Sequence, residues 1–349
     1  MRVWAWLLAF AALPAAAQSP FDFPRDHHGH AEASQEWWTL FAHVRDSDGD
    51  WHAVQASFHR FDFPDDAPEE PWATRALFPA VVAVTDLTRR RFAYEDRVAR
   101  AGPGSVELQS APVDLHHRAW VMTETDSTWR LEARVDSLDI ALDFRPRRSP
   151  LTVWRPDSTS TTSRYVIPRL EVDGSFGKGD VTGVGWLDHV WGDPILPGKE
   201  TGWELLTIHM RDGSALIIYR TRTVSRQVER RSGGVYLSAS GSTLSLEELT
   251  PRFYPVGSVR WGSETTEITY PTRWRVEVPS LELDLTVEAA PPQQELNLLR
   301  THGATLWRGS VDVSGKRGPQ RVSGAGFLEI VGYGGRFPPV LAARDARRD

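Results

Sequence analysis

The sequence predicts an all-β protein of many short strands, built from two tandem copies of one β domain. Apolar and charged residues alternate in segments such as Trp129–Asp136 and Leu281–Glu288, which places the apolar side chains on one face of each strand. No window of useful length repeats apolar residues at helical spacing between capping residues. Many short strands with this alternation are typical of a β-barrel or a β-sandwich.

Turn-forming residues separate the strands. Asp212-Gly213 lies between two apolar runs, and Asp48-Gly49-Asp50 interrupts an earlier pair of runs. Because Asp-Gly accepts the positive φ that tight hairpin turns demand, both sites predict β-hairpins.

The second half of the chain repeats three segments of the first half in the same order. The pairs are Trp37–Asp46 with Trp203–Asp212, Trp129–Glu132 with Trp274–Glu277, and Val181–Asp188 with Val322–Glu329. One such likeness could arise by chance in a strand-rich chain. Three in the same order predict an internal duplication, with copies over residues 36–193 and 202–335.

The duplication suggests where the chain divides. We expect a signal peptide at residues 1–17, an N-terminal domain at 18–197 and a C-terminal domain at 198–349. The stretch Pro194–Gly198 forms the seam between the copies. The Ser/Thr/Pro-rich segment Arg145–Ser163 is the competing boundary, and we interpret it as a long loop inside the first copy.

The N-terminus has the pattern of a secretory signal. Met1-Arg2 precedes an apolar run from Val3 to Leu13, and Ala15-Ala16-Ala17 supplies the small residues of a cleavage site. The run is shorter than the roughly 20 apolar residues that span a bilayer. We therefore expect a mature chain that begins at Gln18 and is exported to the periplasm or beyond, with no further membrane segment.

The composition excludes several classes of function. The 349 residues carry 40 Lys+Arg against 46 Asp+Glu, a net charge of −6, which argues against nucleic acid as a partner. Cysteine is absent, so disulfides, thiolate metal sites and a cysteine nucleophile are excluded. The 15 tryptophans indicate either strand-rich cores or an aromatic-lined pocket.

Comparison of the two copies separates scaffold from specialisation. His43 recurs as His209, which favours a structural role for both histidines. By contrast, the Asp188-His189-Val190-Trp191 sequence occurs only in the first copy. In a strand, His189 and Trp191 share one face while Asp188 takes the other. These residues are candidates for an active site, and the alternative is a buried polar cluster that locks a barrel corner.

Six motifs together resemble a known family. They are Phe23–His30, Glu36-Trp37-Trp38, Pro168-Arg169-Leu170, Val181–Trp191, Gly202-Trp203-Glu204 and Leu216–Arg220. In this order they are similar to the carotenoid 1,2-hydratase / AttH-like family, whose bacterial members include predicted secreted hydrolases. The likeness extends from residue 23 to about 335. It implies two lipocalin-like, calycin-type barrels with an apolar ligand site, and water addition to a C=C bond of an isoprenoid or polyene.

The resemblance implies that His189, Trp191 and Tyr219 lie in the site with Asp188 adjacent, and the chemistry of hydration and the motifs add further candidates. The catalytic candidates are Glu36, Asp188, His189 and Tyr219, and the ligand-binding candidates are Trp37, Trp38, Tyr165, Trp191 and Glu204. A carboxylic acid at Glu36 or Asp188 would protonate the alkene, and indole faces would stabilise the cation. The chain departs from the family at Thr39, Val166 and Thr221, and Thr221 stands where the hydratases place an acid.

We favour an enzyme, a hydratase or hydrolase, that acts on a small hydrophobic ligand without a cofactor. The alternative is a non-catalytic carrier, because barrels of about eight strands hold one small ligand. No Gly-x-Ser-x-Gly elbow supports a serine hydrolase. The ligand-rich run Asp26-His27-His28-x-His30 suggests a metal, but no spaced second pair completes a tetrahedral set. We therefore expect no metal site there and interpret the run as a polar segment clamped across a barrel mouth.

Overall fold

The alternating apolar pattern of the sequence folds into two large antiparallel β-sheets. The computed structural model describes residues 21–63, 74–154, 161–193, 195–196, 200–223, 233–246 and 251–335. Within these ranges the helical elements are the 3-10 turns Arg25–His27 and Pro279–Leu281, and the remaining elements are strands. None of these residues forms a helix long and apolar enough to cross a membrane. The predicted signal peptide lies outside the described residues.

Twelve strands form the first sheet. They are β1 (Gln35–Asp46), β2 (Trp51–Asp62), β3 (Ala76–Asp86), β4 (Arg91–Arg100), β5 (Val106–Ser110), β6 (Val113–His117), β7 (Trp120–Thr125), β8 (Thr128–Val135), β9 (Leu138–Pro146), β10 (Leu151–Trp154), β11 (Ser163–Phe176) and β12 (Gly179–Gly192).

Twelve more strands follow, ten of them in the second sheet and two, β18 and β19, paired with each other. They are β13 (Glu200–Met210), β14 (Ala215–Thr223), β15 (Gly233–Leu237), β16 (Thr243–Ser245), β17 (Arg252–Pro255), β18 (Arg260–Gly262), β19 (Thr269–Pro271), β20 (Arg273–Val278), β21 (Leu283–Ala289), β22 (Glu295–Leu298), β23 (Ala304–Arg317) and β24 (Gln320–Val331).

The two sheets share one topology. The first runs β4-β3-β2-β1-β12-β11-β9-β8-β7-β6-β5, with β10 paired to β11. The second runs β16-β15-β14-β13-β24-β23-β21-β20-β17, with β22 paired to β23. In each sheet the first strand therefore pairs with the last long strand.

The repeated segments occupy equivalent positions in these sheets. Gly183 and Gly185 of β12 correspond to Gly324 and Gly326 of β24. In both sheets the paired histidine of the first strand lies opposite the residue between the two glycines. A Cβ atom at Gly185 would lie 2.6 Å from the Phe41 carbonyl oxygen, so the glycines permit close strand approach. The predictions of an all-β chain and of an internal duplication are thus confirmed, as are the hairpins at Gly49 and Gly213.

Each sheet curls into a barrel around its own apolar core. In the first, the guanidinium of Arg97 on β4 lies 3.8 Å from the ring centroid of Trp120 on β7, where the ends of the sheet meet. Trp129 is fully buried in this core, and its repeat Trp274 is fully buried in the second core. Both are scaffold residues, as the duplication predicts.

A third apolar cluster lies between the barrels and has approximate twofold character. Trp37 of the first barrel stacks on its repeat Trp203 of the second, with ring centroids 6.0 Å apart. The ring of His43 lies 4.5 Å from that of Phe327, and that of His209 lies 4.6 Å from that of Trp186. Because Trp186 and Phe327 are also repeats of each other, the barrels pack through equivalent faces. Both histidines lie at the interface between the barrels, which agrees with the structural role that their recurrence favours.

Candidate functional site

Three adjacent strands place a row of site residues inside the first barrel. The register pairs Trp38 on β1 with His189 on β12, and His189 with Tyr165 on β11. All three side chains are fully buried. Since neighbouring residues in register point to the same face of a sheet, the indole, imidazole and phenol meet in the barrel interior.

Glu36 joins this row through His189. Residues Glu36 and Trp38 are two apart on β1 and so share the inward face. The Nε2 atom of His189 lies 2.9 Å from Oε1 of Glu36, and its Nδ1 atom lies 3.2 Å from the Tyr165 hydroxyl. The indole of Trp38 stacks on the His189 ring at 4.9 Å, which holds the imidazole in plane between its two partners.

The segment before β1 closes the barrel mouth over these residues. His30 donates its backbone N–H to both carboxylate oxygens of Glu36, and its Nδ1 lies 2.9 Å from Oε1. Arg60 of β2 donates to the carbonyl oxygens of His30 and Ala33 and lies 3.3 Å from Oε2 of Glu36. Trp191 stacks on the His30 ring at 3.7 Å. The segment therefore covers the mouth as expected, and it also supplies site residues.

The hydrogen-bonded chain continues beyond Tyr165 to His27. The Nδ1 atom of His27 lies 2.7 Å from the Tyr165 hydroxyl. Phe23 packs against both rings, 4.6 Å from His27 and 5.0 Å from Tyr165. Glu36, His189, Tyr165 and His27 thus form one continuous chain of titratable groups, which we call the relay.

Burial and the internal hydrogen bonds set the protonation of the relay. Burial raises the pKa of Glu36, but hydrogen bonds from His189 and His30 outweigh it and lower the pKa to about 2. Burial lowers the pKa of His27 to about 4, and it lowers the pKa of His189 despite the Glu36 carboxylate. Burial also raises the pKa of Tyr165 well above its usual value. At neutral pH the relay therefore holds one carboxylate, two neutral imidazoles and a neutral phenol.

His30, Glu36 and His189 are the described residues best placed to hold a metal ion. Their donor atoms lie within 4.8 Å of one another. Two imidazole nitrogens and a carboxylate oxygen are a ligand set that Zn²⁺ uses. In this chain Nδ1 of His30 and Nε2 of His189 each hydrogen-bond Oε1 of Glu36, which accounts for the cluster through hydrogen bonding alone.

Asp188 lies on the opposite face of β12 from His189. Its carboxylate pairs with the Arg164 guanidinium, with Nε 2.9 Å from Oδ1. Arg308 and Glu329 of the second barrel line the same small space between the barrels. Burial raises the pKa of Glu329 and lowers that of Arg308. Because alternate residues of a strand point to opposite faces, Asp188 belongs to the barrel interface and does not join Glu36 and His189.

Tyr219 and Glu204 also lie away from the relay. Tyr219 packs in the inter-barrel cluster, edge-on to Trp154 at 5.1 Å. Glu204 is fully buried inside the second barrel, where Arg220 and Arg222 each lie 3.0 Å from its carboxylate. The structure thus brings together Glu36, His189, Tyr165, Trp38 and Trp191. It separates them from Asp188, Tyr219, Glu204 and Trp37.

Sequence reasoning did not assign His27, His30 and Arg60 to this site. The closely spaced histidines just before Glu36 were a usable signal, but they suggested a metal rather than a hydrogen-bonded chain. Nothing in the sequence around Arg60 indicates that it would contact Glu36, since that contact depends on the pairing of β1 with β2.

Comparison with known proteins agrees with this architecture. A family model described as AttH-like matches residues 14–333. The chain belongs to the AttH-like family. The crystal structure of a protein assigned as AttH from Nitrosomonas europaea is 24% identical, with a TM-score of 0.78, and the match covers 92% of this chain and 99% of that one. No curated protein sequence matches this chain.

A second solved structure with this fold is an enzyme. Kievitone hydratase from Nectria haematococca is 16% identical, with a TM-score of 0.67, and the match covers 88% of this chain and 91% of that chain. At this identity the likeness establishes the fold. The AttH-like family and the tandem lipocalin-like fold, both expected from the sequence, are therefore confirmed.

Proposed function

We propose that this protein is an exported enzyme that binds a small hydrophobic ligand and adds water across one of its C=C bonds by acid–base chemistry. The observation that carries the proposal is the relay, a buried chain from Glu36 through His189 and Tyr165 to His27. Perturbed titratable groups held in mutual hydrogen-bond contact are typical of sites that move protons. Hydration needs such a site, because a proton must reach carbon and another must leave the attacking water.

The surroundings of the relay favour this chemistry over a purely structural role. Trp38 and Trp191 enclose the two imidazoles that contact Glu36 and keep bulk water away from them. In such surroundings the hydrogen bonds between titratable groups are stronger than in water. The hydratase among the structures that share this fold makes water addition the reaction class we propose for this chain.

A carrier without catalysis is the second candidate. A groove of about 550 Å³ opens between the barrels, which is within the size range of small-molecule sites. A carrier would use this groove and would not require the relay. Extraction of the purified protein with organic solvent, followed by mass spectrometry, would identify a bound lipid or polyene. Incubation of the recovered compound with fresh protein in water labelled with heavy oxygen then separates the two functions, because only the enzyme incorporates the label.

The sharpest variant for this assay is Tyr165→Phe. It keeps the aromatic ring in the core but removes the hydroxyl that links His27 to His189. We expect label incorporation to fall by about 10²–10⁴-fold, the usual contribution of positioned proton transfer. The matched control is Tyr254→Phe, which removes an exposed hydroxyl bonded to Glu277. Equal incorporation by both variants would refute the relay as the catalytic apparatus. Recovery of unlabelled ligand from every sample would favour the carrier.

The export that we propose depends on residues 1–17, which lie outside the described residues. N-terminal sequencing of protein recovered from the periplasm or the medium would test it. A first residue at Gln18 is expected, and an intact N-terminus inside the cell would contradict export.

A further inference from the structure

The groove between the barrels reaches the outer end of the relay. Its lining comes from both barrels, with Leu151 and Ile167 on the first and Leu237 and Thr243 on the second. His27 lines the same groove. His27 is the member of the relay at this opening, since Tyr165, His189 and Glu36 are each fully buried.

The second ring nitrogen of His27 is available to a molecule in this groove. Its Nδ1 atom bonds Tyr165, whereas Nε2 has no hydrogen-bond partner in the part of the chain that the structure describes. His27 is 6% exposed as a residue, and its Nε2 keeps a small solvent-accessible area. An accessible imidazole nitrogen at the wall of a groove can take a proton from a bound molecule or give one to it.

The donors and acceptors available on each side chain fix the direction of every hydrogen bond in the relay. The Glu36 carboxylate only accepts, so the Nε2–H of His189 donates to it and the Nδ1 of His189 accepts. Tyr165 therefore donates its O–H to His189, and its oxygen accepts the Nδ1–H of His27. This leaves His27 with an unprotonated Nε2 at the groove.

We infer that the groove is the substrate site and that His27 is the catalytic residue that contacts the substrate there, with Tyr165, His189 and Glu36 as positioning residues behind it. The inference rests on the proposed function, because it names where the water addition occurs. The groove selects a small amphipathic molecule, since apolar side chains such as Ile167 and Leu237 share its lining with Arg147 and Arg148.

Water addition balances with His27 as both acid and base. Protonated His27 gives its Nε2 proton to one alkene carbon, so that a C–H bond forms from the π pair and the second carbon becomes a cation. Water attacks that cation through its oxygen, and the proton it loses returns to Nε2 of His27. The neighbouring Asp26 carboxylate favours the protonated state of His27, whereas burial and the nearby His189 and His28 oppose it. That state is a minor species at neutral pH, because burial lowers the pKa of His27 to about 4.

Binding to the groove is tested with cis-parinaric acid, a fluorescent polyene with an apolar body and a carboxylate. Thr243 is an exposed residue of β16 that lines the groove, so Thr243→Trp narrows the groove without changing a core residue of either barrel. We expect about tenfold or greater loss of affinity. Thr182→Trp, at an exposed position of β12 that does not line the groove, is the matched control and should bind as the wild type does. Equal affinity in both variants would overturn the groove as the binding site.

The role of His27 is tested by nitrogen-15 NMR of protein labelled at its histidines. The resonances of His27 are assigned as those missing from the spectrum of the His27→Gln variant. The expected result is the Nδ1–H tautomer with an unprotonated Nε2 whose resonance shifts when cis-parinaric acid saturates the protein. An Nε2–H tautomer, or a resonance that does not move, would overturn the inference.

Label incorporation separates this inference from the proposed function. If Tyr165→Phe abolishes incorporation and His27→Gln does not, the relay is catalytic but His27 is not its contact with substrate. If the wild-type protein incorporates no label, the proposed function fails, and the catalytic part of the inference fails with it. Binding of cis-parinaric acid then still decides, on its own, whether the groove is a ligand site.

Discussion

Replacement of Glu36 by Gln offers a direct test of how the candidate site is held together. The Glu36 carboxylate is fully buried and contacts three partners, His30, His189 and Arg60. Glu36→Gln keeps the size of the side chain but removes its charge. The guanidinium of Arg60, whose side chain is 9% exposed, then loses its buried carboxylate partner and keeps only the carboxylate of Asp62, 3.7 Å away.

Two arguments give the same magnitude for the free energy of unfolding that Glu36→Gln should remove. Removal of one partner of a buried ion pair costs about 3–5 kcal/mol, because the remaining charge loses its buried counterion. Separately, the pKa of Glu36 falls from 4.5 to about 2 in the folded protein. At about 1.4 kcal/mol per pKa unit, ionised Glu36 contributes about 3 kcal/mol to the free energy of unfolding. We therefore expect Glu36→Gln to lower that free energy by about 3–5 kcal/mol at neutral pH.

The pH dependence of the effect has a definite sign. The folded state binds the Glu36 proton more weakly than the unfolded state does. The stabilisation is therefore complete above pH 4.5 and is lost as the pH falls towards 2. Since Glu36→Gln resembles the protonated side chain, the difference between the variant and the wild type should narrow over this range.

Urea denaturation followed by tryptophan fluorescence measures both the loss of unfolding free energy at neutral pH and its change as the pH falls. The matched control is Glu132→Gln, which breaks an exposed ion pair with Arg130 and should cost no more than about 1 kcal/mol. A loss at Glu36 as small as the loss at Glu132 would refute the assigned ion pair. A difference that stays constant from pH 4.5 downward would refute the lowered pKa.

Two further predictions concern the scaffold. Burial lowers the pKa of His43 from 6.5 to about 4. The contribution of neutral His43 to the free energy of unfolding is therefore complete above pH 6.5 and falls by about 3 kcal/mol as the pH drops to 4. His43→Gln should therefore lose less stability than the wild type between pH 7 and 4.5 in urea titrations; equal losses would contradict this. In Gly183→Ala the added methyl group would collide with the His43 carbonyl oxygen. Thermal denaturation should show a free energy of unfolding lower by about 1–3 kcal/mol or more. Gly179→Ala is the control, because its methyl group would meet only the Ser47 hydroxyl, at 3.9 Å. An equal loss of stability in this control would contradict the close approach of the strands at Gly183.

The candidate site was predictable from sequence only in part, and the limit has a physical cause. Period-two alternation correctly put His189 and Trp191 on one face of β12 and Asp188 on the other. The pairing of Trp38 with His189 and of Tyr165 with His189 depends on strand register. Register follows from contacts across the whole sheet, so it cannot be read from any one segment.

The separation of Tyr219 and Glu204 from the relay has a similar cause. Both residues lie in motifs that suggest a site, but those motifs belong to the second copy. Whether a residue of one copy can reach the site of the other depends on how the barrels pack. The barrels meet through their equivalent outer faces, so Tyr219 enters the interface while Glu204 stays inside its own barrel.

The sequence by itself determined the all-β class, the duplication, the scaffold tryptophans and the family, because alternation, turns and repeats are local patterns. Only the tertiary structure decided that Glu36, His189, Tyr165 and His27 form one chain and that Asp188 pairs with Arg164. These contacts join residues up to 153 positions apart. No local rule determines such contacts, since they exist only once the strands have paired and the barrel mouth has closed.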